Sequence, residues 1–348
     1  MKNEEPMEKG ADMKKILLIA TGGTIASKYT EEGLSPQIPA DQLLGYVPSV
    51  REICDVDCVQ PFNLDSTNIS PEHWLKLEAL IEREYEYYDG FVICHGTDTM
   101  AYTAAGLSYL IQNNYKPIVI TGAQKPIDLA VTDARTNLTD SLRFASDERA
   151  HGVNIVFGGH VIAGTRAKKE RTKSYNAFAS INFPDIAVIQ EKRILFYIDD
   201  KYRNQRNLCF YHQLDPNIFL FKLIPGCSGK VLERLFDSFD AVIIESFGVG
   251  GLPNYGDDSY YDAVRRYSEA GKLIIMATQV IKEGSDMSVY QVGQVMKDEF
   301  SLPESYDMTL EAVVAKTMWA LGQTKDPKEF RRLFYSTINR DLLFYPEK

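Results

Sequence analysis

Two short loops in this chain carry the residue types of a hydroxyl-nucleophile site: Thr21-Gly22-Gly23-Thr24 and His95-Gly96-Thr97-Asp98-Thr99. A threonine hydroxyl is a weak nucleophile until a neighbouring base takes its proton. Thr97, Asp98 and one lysine have the types such a relay needs, and Lys168 and Lys169 are at hand in the basic stretch that runs from Arg166 to Arg171. The pattern points to a hydrolase with a threonine nucleophile, with both Thr24 and Thr97 as candidates for the attacking group. Plainer readings exist for each part. The glycine pair can serve a turn, Asp98 can cap the helix that follows it, and Arg166, Lys168, Lys169, Glu170 and Arg171 can form a solvated charge run. His95, which follows a buried strand, reads as a core histidine with satisfied nitrogens rather than a general base. The chemical reading gains from the joint occurrence of the parts.

Each loop needs a strand to aim it. Ile16-Leu17-Leu18-Ile19-Ala20 and Phe91-Val92-Ile93-Cys94 are apolar runs of strand length bounded by loop residues, as in a parallel sheet buried on both faces. If these strands are neighbours, both loops open on the crevice beyond their carboxyl ends. The spacing predicts a helix from Pro71 through Glu84 opened by Ser70, a helix from Asp98 to Ile111, a strand at Pro117–Ile120 and a helix from Thr132 to Ala145. Val153–Phe157 and His160–Ala163, joined by Gly158-Gly159, read as a hairpin. Periodicity fades after the stretch Asp199–Asn204 and resumes at Lys230, with strands at Ala241–Ile244 and Leu273–Met276. The expected class is α/β in two domains: a larger doubly wound, mostly parallel sheet with helices on both faces, then a smaller α/β domain. Residues 1–13 are expected as a mobile tail, 14–205 as the first domain, 206–228 as a linker and 229–348 as the second domain.

Composition narrows the classes. The 348 residues are 45% hydrophobic, enough for substantial cores, and 48 acidic against 38 basic side chains leave a formal charge of −10, which disfavours a nucleic-acid partner. Lys14 and Lys15 precede only five apolar residues before the glycines, unlike a secretory signal, so a cytoplasmic location without membrane contact is expected. Five cysteines suit reduced thiols, and Cys54 and Cys58 lack the second pair that a zinc site requires. Neither the dinucleotide nor the nucleotide phosphate-loop fingerprint is present, which argues against a nicotinamide enzyme.

The chain resembles an L-asparaginase of the bacterial cytoplasmic type, within the asparaginase/glutaminase superfamily, almost from end to end. The resemblance is carried by Ala20–Ala26, Asp65–Trp74, His95–Met100, Ile120–Gln124, Ala177–Ser180 and Phe247–Gly250. It implies an amidohydrolase that converts L-asparagine to L-aspartate and ammonia through an acyl-enzyme, with L-glutamine as the second amide to test and no metal or organic cofactor. Carried over by position, it makes Thr24 the first nucleophile, Thr97 the second essential threonine, Lys169 rather than Lys168 the lysine partner, and Asp98 a further catalytic group. Gly23, Asp65, Ser66, Thr67, Thr97 and Asp98 would contact substrate, Ser66 gripping the α-carboxylate and Asp98 the α-ammonium. A homodimer or homotetramer is implied, with Gly250, Gly251 and Gln279 as contributors from the second domain.

The chain also departs from that pattern. The loop position that holds a tyrosine in such enzymes holds Leu34 here, which leaves Tyr29 as the candidate to activate Thr24. Thr67 stands where secreted relatives carry Gln, and Lys168 and Val280 stand where relatives with a regulatory asparagine site carry Thr and Cys. Two other functions share the motifs: the asparaginase-like subunit of a tRNA-dependent amidotransferase, disfavoured by the dozen residues ahead of the first strand, and a catalytically silent amino-acid sensor.

Overall fold

The computed structural model describes residues 13–31, 33–199, 207–253, 260–289 and 291–343. The expected tail falls outside them except for Met13. Alternate residues of the strand Lys15–Ala20 enter two different cores: Leu17 and Ile19 join one cluster, and Ile16, Leu18 and Ala20 another. Gly90–Cys94 divides in the same way, Phe91 and Ile93 against Val92 and Cys94. The two-residue period of a strand thus buries both faces of the sheet, which is why these runs are apolar throughout.

The sheet has eight strands in the order 193–196, 187–190, 160–163, 152–157, 117–121, 90–94, 15–20, 55–59. The five from 152–157 to 55–59 are parallel, and the remaining three are added by antiparallel pairings. Lys15–Ala20 and Gly90–Cys94 are parallel neighbours, as the two-loop reading requires. The 152–157/160–163 pair is the expected hairpin, turned by Gly158 at φ 59° and Gly159 at φ 80°.

Ile218–Lys222, Ala241–Ser246 and Leu273–Thr278 form a second, parallel sheet. The first of these lies inside the stretch 206–228 expected as linker. It is an edge strand, half exposed, so its alternation is blurred and Pro216 just ahead of it reads as loop. The helices Met100–Leu110 and Leu310–Gln323 pack on each other between the two sheets. Ile243 and Ile275 of the second sheet share a core with Ile93 and Ile120 of the first. One continuous core therefore fixes the angle between the sheets.

Arg166 is reassigned. Expected in a solvated charge run, it is fully buried, donating to Asp307 Oδ2 and the Asp307 carbonyl at 2.7 Å each and to the Arg340 carbonyl at 2.5 Å. A buried guanidinium persists only with acceptors of this kind, here one for each of its three nitrogens. It ties the stretch before Lys169 to the second domain.

Candidate active site

Three loops meet with glycine backbone at each contact. Gly23 has φ 75°, and a Cβ there would lie 2.4 Å from the Cα and N of Gly96. A Cβ on Gly96 would lie 2.6 Å from Cβ and Oγ of Ser66. The contact is braced by backbone bonds from Thr21 N to the Cys94 carbonyl (3.0 Å), Gly23 N to the Leu64 carbonyl (3.0 Å) and Leu64 N to the Thr21 carbonyl (2.9 Å). The glycines of both threonine loops are therefore close-approach residues as well as turn formers.

On this junction the side chains sort themselves. Thr24 opens a short 3₁₀ turn, Thr24–Ala26, beyond the first strand and is half-buried. Thr97 is 6% exposed, at the end of the loop after Gly90–Cys94. Lys169 comes from the strand Ala167–Lys169, paired antiparallel with Phe178–Ser180, and its Nζ donates to Thr97 Oγ1 at 2.7 Å and to Asp98 Oδ1 at 2.5 Å. Alternation along that strand sends the neighbouring lysine elsewhere: Lys168 Nζ binds Glu311 Oε1 at 3.0 Å. Asp98 is not the cap expected of it. Thr99 holds the N-cap position of Met100–Leu110, which leaves the Asp98 carboxylate to Lys169.

Ser66 is 3% exposed; its Oγ accepts from Asp98 N at 3.2 Å, and its carbonyl accepts from Thr99 Oγ1 at 2.8 Å. Sequence reasoning does not single out Thr99, although it belongs to the same loop as Thr97. Asp65 Oδ1 accepts from Thr67 N and Thr67 Oγ1, both at 2.8 Å, so this pair shapes the turn that presents Ser66. Tyr29 stands 68% exposed on the hairpin formed by Ser27–Thr30 and Gly33–Pro36. Gln279 spends its amide on the Leu223 and Glu245 carbonyls at 2.7 and 3.0 Å. Lys168 and Val280 line one cleft with Thr278, Gln279 and Thr309, on the second-domain side of the lysine strand.

His95 has the role of a core histidine. Its Nδ1 lies 2.7 Å from the Gly96 carbonyl and must carry the proton to bond it; Nε2 then accepts from Thr103 Oγ1 at 3.0 Å, which itself accepts from Trp74 Nε1 at 3.0 Å. This chain fixes the peptide at Gly96. Burial pushes the imidazole down to about 4 from an ordinary value of 6.5. The unfolded chain therefore binds the extra proton between these limits. The resulting stability is complete above pH 6.5 and is lost as pH falls toward 4, roughly 3 kcal/mol in all. Thermal melts of wild type and His95→Gln between pH 7 and 4.5 check this: the wild-type melting temperature falls more steeply with acid than that of the variant, and parallel curves would contradict it.

Comparison with known proteins agrees with this geometry. Residues 15–202 match the family model described as "Asparaginase, N-terminal", and residues 217–334 match "Glutaminase/Asparaginase C-terminal domain". The chain is 37% identical over 325 residues to the L-asparaginase of Thermococcus kodakarensis, covering 93% of this chain and 98% of that protein. It is 31% identical over 342 residues to a component of the Glutamyl-tRNA(Gln) amidotransferase of Pyrococcus horikoshii, covering 95% of this chain and 77% of that one. The solved structure of the thermostable L-asparaginase from Thermococcus kodakarensis superposes with a TM-score of 0.89 at 35% identity, over 95% of this chain and all of that one. L-asparaginase I from Vibrio cholerae superposes at 0.84 and 26% identity with the same coverage. With both domains matched and the threonine loops, lysine strand and serine turn joined at one junction, the chain belongs to the asparaginase/glutaminase family.

Proposed function

We propose that this protein hydrolyses L-asparagine to L-aspartate and ammonia with a threonine nucleophile, through an acyl-enzyme. The observation that carries the reading is the ammonium of Lys169 bonded at once to Thr97 Oγ1 and Asp98 Oδ1 at 2.7 and 2.5 Å. Thr24 Oγ1 attacks the side-chain amide carbonyl, its proton passes to the amide nitrogen, the C–N bond breaks to release ammonia, and water then hydrolyses the ester to L-aspartate and restores the Thr24 hydroxyl. Thr97 accepts a hydrogen bond from Lys169, so its own proton is free to point at a reacting oxygen, and Lys169 with Asp98 returns protons to that site. Ser66 Oγ already accepts from Asp98 N, so its O–H remains to donate to the substrate α-carboxylate. Asp98, exposed toward solvent, supplies the negative charge for the α-ammonium. The Gly23 N–H is held by the Leu64 carbonyl, so the oxyanion falls to the other backbone N–H groups of the glycine loop or to donors near Thr97.

The finer assignment, to the cytoplasmic type I enzymes, rests on the two loops and on the likeness to the Vibrio cholerae protein; a homodimer or homotetramer and a cytoplasmic location follow from it. Among the described residues no helix is long and apolar enough to cross a membrane. The 31% identity to an amidotransferase component supports a second reading, in which the same site releases ammonia for a tRNA-bound acceptor. Ammonia release from L-asparagine and L-glutamine by wild type and Thr24→Ala separates them. The hydrolase turns over L-asparagine without tRNA, and Thr24→Ala loses about three orders of magnitude or more. Turnover that depends on tRNA favours the second reading, and no turnover by folded protein removes both.

A further inference from the structure

The chain leaving the first domain crosses the outer face of the helix Pro71–Glu84, where Leu208, Phe210, Tyr211 and Leu214 pack on the first core. His212 sits in this crossing segment. Glu78 and Glu82, four residues apart, share one face of the helix. His212 Nδ1 lies 3.2 Å from Glu78 Oε1 and 3.8 Å from Glu82 Oε2. One donor atom from each of the three residues falls within 4.8 Å of the others.

Glu78 makes this more than a surface ion pair. It is 1% exposed, and its Oε1, sealed from solvent and turned toward the cluster, accepts no hydrogen bond. The His212 imidazole, with Nδ1 3.2 Å away, is its ionic neighbour. A buried carboxylate oxygen without a donor is costly, and a cation can meet that cost.

We infer that Glu78, Glu82 and His212 bind a divalent transition-metal ion of the zinc class, with water in the remaining position. Two ligands about 2.1 Å from a tetrahedral ion stand roughly 3.4 Å apart, and the two distances from His212 bracket that spacing. One imidazole and two carboxylates suit zinc; calcium asks for six to eight oxygens and magnesium for an octahedron of them. His212 at 60% and Glu82 at 44% side-chain exposure leave the ion a way in, while Glu78 forms the floor. The bound ion staples the interdomain crossing to the first-domain helix, apart from the threonine junction. His212 comes from a segment far from this helix in the chain, so the local Glu78–Glu82 spacing alone does not announce the site.

The test uses the full chain after treatment with a chelator. Zinc titrated by calorimetry binds one equivalent and raises the melting temperature, and cobalt(II) in its place gives the visible absorption of a tetrahedral site. His212→Asn weakens the affinity more than about 100-fold and abolishes the cobalt band, while turnover of L-asparagine is retained. Glu82→Gln, at an exposed position, provides the same readout if His212→Asn does not fold. The inference is overturned if wild type takes up no zinc, or if the folded variants bind it as tightly as wild type.

Discussion

Lys169→Met lowers kcat on L-asparagine by about three orders of magnitude. Methionine keeps the length and the apolar stem of the side chain, so the loss isolates the ammonium. That group bonds Thr97 Oγ1 and Asp98 Oδ1 together, and its side chain is only 16% exposed, so water is a poor replacement. An interaction made chiefly in the transition state reduces kcat and kcat/KM alike, and this signature distinguishes a proton relay from simple substrate binding. Thr97→Val causes a similar loss, and the double variant is hardly worse than either single one, because the two groups act as a unit. Lys168→Met keeps kcat within about threefold of wild type, since its Nζ binds Glu311 and not Thr97, and its cost falls on stability because the buried Glu311 carboxylate loses its partner. Steady-state rates of the four variants beside wild type decide the matter: a Lys169→Met enzyme near wild-type kcat would end the relay, and a dead Lys168→Met would move it to the other lysine.

The contrast between the two lysines marks how far sequence reasoning reaches. The strands that carry the threonine loops are legible because burial on both faces makes them continuously apolar, and their glycines stand where the loops turn. The lysine is reached through resemblance, not chemistry. Its strand is three residues long, and only its pairing with Phe178–Ser180 fixes which side chain faces Thr97. Arg166 is misread from sequence for a related reason: the acceptors that permit its burial lie 141 and 174 residues away, and a charged residue beside two lysines looks solvated until they are known. Asp98 looks like a cap because a carboxylate one residue ahead of a helix start is a common cap, and the competing ammonium is 71 residues distant. The strand Ile218–Lys222 is hidden by its half-exposed edge position. Local pattern thus specifies the elements and the two loops, and long-range charge pairing specifies which polar residues the site uses.

Gly23→Ala disables the enzyme by separating the loops, and the size of that effect can be told apart from backbone strain. Gly23 at φ 75° and Gly271 at φ 76° share the left-handed conformation that disfavours a side chain. They differ in surroundings. A Cβ on Gly271 meets nothing within 4 Å, whereas one on Gly23 meets backbone atoms of Gly96 at 2.4 Å, which cannot swing aside as a side chain can. Gly271→Ala therefore costs only the conformational penalty, about 1 kcal/mol of stability, with activity unchanged. Gly23→Ala carries that penalty and also pushes Thr24 away from the loop that holds Thr97 and, through Gly96, from Ser66. A displacement near 1 Å at reacting groups costs about 100-fold in rate, so kcat/KM falls at least that far, with a further 1–3 kcal/mol lost to overpacking. Activity and denaturant melts of the two variants provide the check. Equal stability losses with intact activity in both would mean that the close approach of Gly23 to Gly96 is dispensable and that the two threonine loops need not touch for the chemistry.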